Sequence, residues 1–170
     1  GEWRGNFLFH FGHLLVLFAV PPVIVTCLYL MRVQTGRGAW FGFVGGVFGI
    51  FGAFMLAVDK GALTLVLTAF QQIPDPQFEG IKPALAALLA RGGWLWITSA
   101  FALLPIGVIV QTIGLLREGK IGRWQGGCII VGLLPLMNPD IEIISSVGAA
   151  LMCAGVIPMG LSLLASRSDA

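Results

Sequence analysis

The chain has 170 residues, a net charge of +2, 57% hydrophobic residues and only 11% charged residues. Soluble globular domains carry about 25% charged residues, so a soluble fold of this composition would lack the polar side chains that cover a surface. The small charge and the lack of a basic run argue against a nucleic-acid partner. Three cysteines in apolar stretches, without metal-like spacing, indicate buried small hydrophobes. The composition predicts one integral membrane domain, residues 1–170.

Several apolar stretches reach the length of about 20 residues that a membrane span needs. The last of them, 126–164, would cover about twice the hydrocarbon thickness as one helix. We divide it at Asn138-Pro139-Asp140, because Pro interrupts a helix and Asp suits the cap of the next one. The sequence therefore predicts an all-α polytopic transmembrane helix bundle of about five spans, or four if one is re-entrant: 7–31, 39–58, 94–116, 121–138 and 142–164.

The short basic loops predict the orientation of these spans. Lys and Arg concentrate in loops 32–38 and 117–125, which the five-span order places on one side. Positive loops face the cytoplasm. We expect both loops to be cytoplasmic, the N-terminus to be outside, and the protein to lie in a cell membrane, most simply a bacterial inner membrane.

The long connection 59–93 is predicted to be external. Asp59 is expected at the hydrated outer end of the second span, and the apolar piece 61–70 is too short to cross, so it reads as a helical extension or a re-entrant segment. Asp75 is the predicted cap of a following helix, with Pro76 in its first turn. That helix is expected to lie on the membrane surface through one apolar face, which comprises Phe78, Ile81, Leu85, Leu88 and Leu89.

A weak internal repeat has an offset of about 84 residues. A basic loop with an interfacial Trp would produce the same pattern without duplication, so both interpretations stay open. A true duplication would indicate two related halves, as in some transporters. The paired segments are Leu30-Met31-Arg32, Gly36-Arg37 and Trp40-Phe41-Gly42 in one copy, and Leu115-Leu116-Arg117, Gly122-Arg123 and Trp124-Gln125-Gly126 in the other.

The combination of these features resembles bacterial multi-span membrane proteins of unknown function. The features are a histidine in the first span, a Gly36-Arg37-Gly38 loop, a glycine-rich span at 42–52, a polar external segment at 71–83, and a late basic loop from Arg117 to Trp124. The resemblance covers most of the chain through generic motifs. It implies a membrane helix bundle and no particular activity.

His10 and His13 are the candidate cofactor ligands, three residues apart on one face near the outer end of the first span. An intramembrane histidine can ligate haem or a chlorophyll-type pigment, or relay protons. The alternative is hydrogen bonding near the headgroups. The sequence contains no phosphate loop, zinc motif or Ser-His-Asp set, so no catalytic residue and no metal site are predicted.

The strongest pattern is a glycine stripe along the second span. Glycines at spacings of three and four form one smooth face, on which a helix, or a flat ligand such as a lipid, quinone or pigment, can approach closely. Within it, Gly46 and Gly49 are expected at the closest helix–helix or helix–cofactor contact, and Phe48 is expected to face lipid or a looser contact. The stripe comprises Gly42, Gly45, Gly46, Gly49 and Gly52.

These patterns favour a non-enzymatic membrane subunit that packs against other transmembrane helices, in a homo- or hetero-oligomer, and stabilises a larger complex. Membrane lipids are expected partners, with bound lipid on the protein. One alternative is a subunit that binds haem or a chlorophyll-type pigment through His10 or His13. A second alternative is a small transporter built from two related halves.

Overall fold

The computed structural model describes residues 6–136 and 142–168, with side chains described for 6–135 and 146–162. Every regular element in these ranges is helical, as the sequence predicts. Two 3₁₀ segments, Gly36–Gly38 and Gly93–Ala102, precede α2 and α4. The predicted break at Asn138-Pro139-Asp140 lies outside the described residues. The α-helices are α1 (Phe7–Val33), α2 (Ala39–Gln71), α3 (Asp75–Leu89), α4 (Leu103–Arg117), α5 (Arg123–Leu136) and α6 (Glu142–Ser168).

Within the described part of the chain, three helical segments are long and apolar enough to cross a membrane: Phe7–Val33, Gly36–Gln71 and Gly93–Arg117. Their length and composition support the prediction of membrane helices, and the count of about five spans stays a prediction. The part of α6 whose side chains are described, Ser146–Ser162, is also an apolar helix.

Helix α2 lies at the centre of the fold, with α1 and α4 packed along it. Helices α5 and α6 form a second pair that packs chiefly on itself and joins the rest through α4. The two halves of the predicted repeat therefore have different surroundings, and the repeat stays a prediction. The buried apolar cluster where the pair meets α1 and α4 comprises Leu30, Leu115, Ile121, Ile129, Leu133 and Met159.

Helix α2 is much longer than the predicted span 39–58. It runs for 33 residues through Asp59 and Lys60 to Gln71 without interruption. No Pro stands in this stretch, and the apolar segment 61–70 continues the helical pattern. Ion pairs with Lys60 and Arg91 compensate the carboxylate of Asp59. An acidic residue therefore did not mark the end of the helix.

The predicted span 94–116 consists of two pieces, a ten-residue 3₁₀ segment and α4. Pro105 is the third residue of α4. A proline in the first helical turn loses no hydrogen bond, because the N–H groups there have no intrahelical acceptor. The position of Pro105 therefore suits a regular α-helix that begins at Leu103.

Helix α3 begins at Asp75 itself, whereas a capping role for Asp75 would require the helix to begin at Pro76. Pro74 is the N-cap, and Asp75 is the first helical residue. Of the predicted apolar face, Phe78 and Leu85 are buried. Ile81 is half-buried, while Leu88 and Leu89 remain exposed.

Candidate functional site

All five glycines of the stripe are buried, and the neighbours that cover them belong to this same chain. A Cβ at Gly46 or Gly49 would collide with the side chain of Met31 or Cys27 from α1. A Cβ at Gly45 or Gly52 would collide with the backbone of α4. The stripe therefore forms the contact of α2 with α1 and α4.

Gly45, Gly49 and Gly52 lie against the backbone of α4, whereas Gly46 lies against a side chain of α1. Gly107 of α4 faces this point, and a Cβ there would overlap the backbone of Gly45 and Gly49. The contact at Gly46 involves the thioether of Met31 instead. Glycines on both helices thus let the two backbones meet without intervening side chains, which favours helix association in lipid.

A buried amide links the three helices beside this contact. Gln111 of α4 is 0% exposed. Its Nε2 donates to the carbonyl oxygen of Cys27 in α1 at 3.0 Å and to that of Gly42 in α2 at 3.1 Å. Gln34 Nε2 in turn donates to the backbone oxygen of Gln111 at 3.1 Å. These bonds satisfy both amide donors of Gln111 by joining helices.

The two basic loops meet at the same end of the bundle. Glu118 Oε1 accepts hydrogen bonds from the backbone N–H groups of Thr35, at 2.8 Å, and Gly38, at 3.2 Å. Lys120 pairs with Glu118 Oε2 at 2.7 Å and donates to the carbonyl oxygen of Val33. Burial raises the pKa of Glu118, but the Lys120 and backbone hydrogen bonds outweigh it and hold the pKa below its usual value.

His10 and His13 have separate hydrogen-bond partners. His10 Nε2 accepts from the Nε2 amide of Gln71 at 2.5 Å, and His13 Nδ1 donates to the carbonyl oxygen of Phe9 at 2.8 Å. Both rings are half-buried. A macrocycle bound to His10 Nε2 would have to replace the hydrogen bond from Gln71. In His13 the hydrogen bond to Phe9 uses Nδ1, so Nε2 is the ring nitrogen that could ligate a macrocycle. Ligation by either histidine stays a prediction.

In the second half of α2, Asp59 is buried, which differs from the hydrated position expected from the sequence. Its side chain is 6% exposed. Oδ1 accepts a hydrogen bond from Arg91 at 2.9 Å, and Oδ2 lies 3.4 Å from Lys60 Nζ without a hydrogen bond. A buried carboxylate requires such partners, because an unpaired charge away from water is strongly unfavourable.

Arg91 occupies a backbone conformation that is unusual for its residue type. It has a φ of 53°, in the left-handed region. The N–H of Arg91 bonds to the oxygen of Leu88 and that of Gly92 to the oxygen of Ala87, the pattern of a helix end that favours glycine at this position. The guanidinium also lies 5.1 Å from the ring of Phe101. Its contacts with Asp59 and Phe101 hold a strained backbone in place.

A cavity of about 200 Å³ opens beside this ion pair. Asp59 and Arg91 supply its charged part, and Thr98 supplies a hydroxyl. Its walls are otherwise apolar and come from α2, α3 and the 3₁₀ segment: Ala62, Leu63, Val66, Leu88, Leu89 and Leu95. A pocket that combines opposite charges with apolar walls suits an amphiphilic ligand.

Sequence reasoning missed Gln111 and Arg91. The only signal for Gln111 was an amide within an otherwise apolar span, and such residues join helices in lipid. Arg91 beside Gly92-Gly93 marked a helix end without identifying Asp59 as its partner. No group of three His, Cys, Asp or Glu within metal-binding reach occurs in the described ranges.

Comparison of the chain with protein-family models, curated proteins and solved structures finds no match.

Proposed function

We propose that this chain is a non-enzymatic integral membrane subunit that presents the outer face of α6 to other transmembrane helices. The glycine stripe is occupied by α1 and α4 of the same chain, so a partner requires another surface. The role of a membrane subunit favoured by the sequence is unchanged, but the surface that contacts partner helices is on α6 and not on α2.

The observation that carries the proposal is the division of α6 into two opposite faces. Gly148 and Gly155 pack against α5, where a Cβ would overlap the backbone of Gly132 or Gln125. The opposite face repeats apolar residues at spacings of three and four, the period of a helix-packing seam. Its small members would allow close approach by another helix. This outer seam comprises Val147, Ala150, Ala154, Ile157 and Leu161, all exposed.

The proposed arrangement in the membrane keeps the five spans and the orientation expected from the basic loops. Glu118 and Lys120 of one loop contact residues 33–38 of the other, which supports a position on the same, cytoplasmic side. The described residues of α5 reach about 21 Å, less than the hydrocarbon thickness of about 30 Å. Helix α3 is proposed to lie on the outer surface, and the membrane to be a bacterial inner membrane.

Ala154→Leu tests the outer seam. We expect this change to release proteins that co-purify with the chain in mild detergent, or to shift its self-association on size exclusion, because the larger side chain separates the backbones. Ala19→Leu is the matched control, since Ala19 is also an exposed alanine within an apolar helix. Equal behaviour of the two variants, or a wild-type protein that is monomeric and without partners, contradicts the proposal.

Cysteine labelling tests the arrangement in the membrane. In a variant lacking the three native cysteines, an impermeant reagent should label position 72 from outside and positions 37 and 120 from the cytoplasm. Labelling of position 72 from the cytoplasm contradicts the five-span order.

An absorption spectrum of protein from the native membrane separates the alternative role: a macrocycle band that His10→Ala or His13→Ala weakens supports a haem or chlorophyll-type subunit.

A further inference from the structure

The cavity beside Asp59 of α2 is a feature that the proposed subunit role leaves unexplained. We propose that it binds a phospholipid whose headgroup carries a primary ammonium, with the ammonium at Asp59, the phosphate at Arg91 and the first part of an acyl chain along the apolar walls. The charges, the position and the backbone strain of the site each support this occupant.

The charges favour a zwitterionic headgroup. Asp59 Oδ2 accepts no hydrogen bond, and the nearest cation, Lys60 Nζ, lies 3.4 Å from it. A ligand ammonium that displaces Lys60 would supply the hydrogen bond that this oxygen lacks. The Arg91 guanidinium has five N–H donors. The guanidinium donates one hydrogen bond to Asp59, and the Arg91 side chain is 34% exposed. A guanidinium that can still offer donors suits the oxygens of a phosphate.

The position of the cavity favours a lipid over a soluble ligand. Asp59 lies about 28 Å along α2 from Trp40, close to the thickness of a hydrocarbon core. With Trp40 at one headgroup level, Asp59 is near the other. Trp94 and Trp96, 85% and 62% exposed, belong to the same end of the molecule, and exposed tryptophans suit the headgroup region. The volume accommodates about six water molecules, the scale of a headgroup and not of a whole lipid.

The backbone strain at Arg91 is consistent with a binding role. A glycine at this helix end would adopt a φ of 53° without steric cost. Strained positions of this kind concentrate at functional sites. Arg91→Gly is also a useful probe, because it removes the guanidinium while relieving the backbone at the same position.

The test uses the full chain in detergent, stripped of lipid and titrated with short-chain phosphatidylethanolamine, phosphatidylcholine or phosphatidylglycerol under native mass spectrometry. The ethanolamine lipid is expected to bind about tenfold more tightly than the other two, the difference expected for one charge-assisted hydrogen bond. Choline has no N–H to donate, and glycerol has no cation.

Two variants and a control identify the groups involved. Asp59→Asn should bring the affinity for the ethanolamine lipid down to that for phosphatidylglycerol. Arg91→Gly should weaken all three lipids, because it removes the phosphate partner. Glu79→Gln neutralises an exposed carboxylate on α3 and should change nothing. Thermal unfolding of each variant establishes that it is folded, and Arg91→Gly carries the test if Asp59→Asn does not fold.

Three results would overturn the proposal. Equal affinity for the ethanolamine and choline lipids would mean that no N–H of the headgroup is recognised. Preference for phosphatidylglycerol would indicate a simple anion site at Arg91 and Lys60. Binding that is absent, or unchanged in folded Arg91→Gly, would show that this cavity is not the lipid site. Loss of a protein partner in Ala154→Leu is a separate measurement, so the two proposals can fail independently.

Discussion

The first half of α2 and the region around Asp59 pack in different ways. Near its start, glycines bring α1 and α4 against the α2 backbone, and Gln111 joins all three helices. Near Asp59, charged side chains and a strained residue border a cavity. The first region gains stability from close contact between helix backbones, whereas the second leaves a cavity of about 200 Å³ beside an ion pair. This contrast is the basis for assigning helix packing to the glycine stripe and for proposing a ligand site beside Asp59.

The largest expected effect comes from filling the glycine contact. Gly107→Leu should destabilise the protein by at least the roughly 1–3 kcal/mol typical of overpacking, because the new Cβ meets the backbone of Gly45 and Gly49 and not a movable side chain. The measurement is the midpoint of thermal unfolding in detergent. Gly127→Leu is the control, since nothing lies within 4 Å of a Cβ there. A similar loss in both variants would remove the basis of the comparison.

A smaller effect is expected when the amide between the helices is removed. Gln111→Leu keeps much of the side-chain volume but loses the donors to Cys27 and Gly42, and interhelical hydrogen bonds in membranes contribute about 1 kcal/mol. Gln72→Leu replaces an exposed glutamine and should leave the unfolding midpoint nearly unchanged. If the Gln111 variant unfolds at the wild-type temperature, the glycine contacts alone account for this end.

The smallest effect concerns the loop contact and appears only at low pH. The pKa of Glu118 is lowered in the fold, so its contribution is fully present above the pKa of the unfolded chain, about 4.3. That contribution is lost as the pH falls through the lower, folded value. Unfolding midpoints measured from pH 7 to pH 3 should fall more steeply for wild type than for Glu118→Gln. Glu79→Gln should keep the wild-type slope, and equal slopes for all three proteins would contradict the assignment.

The sequence predicted what depends on local periodicity. The helices around 7–31 and 39–58 follow from apolar runs, and spacings of three and four put the five glycines on one face. The identity of the covering helix was not predictable, because glycines offer the same smooth surface to a partner protein and to α4. Which glycine lies closest depended on Gly107, whose position opposite Gly45 and Gly49 requires the tertiary structure.

The surroundings of Asp59 show why the charge pattern was less informative than the glycine spacing. An acid after an apolar run resembles the end of a span, and this reading requires that the carboxylate reach water. Arg91, 32 residues away, supplies the missing compensation, so the helix continues and Asp59 is buried. A contact of that sequence separation leaves no periodic signal.

The length of α2 has a consequence for the bilayer itself. Its 33 residues extend about 50 Å, and even a tilt of about 40°, the upper end of the range for transmembrane helices, leaves about 38 Å along the membrane normal. A hydrocarbon core of about 30 Å cannot contain such a helix. The segment beyond Asp59 is nevertheless apolar, with Leu65 75% exposed. Because Asp59 lies near the headgroup level, this apolar segment of α2 extends beyond the hydrocarbon core. A neighbouring subunit of matching height would cover it, since exposed apolar surface of this kind marks an interaction site.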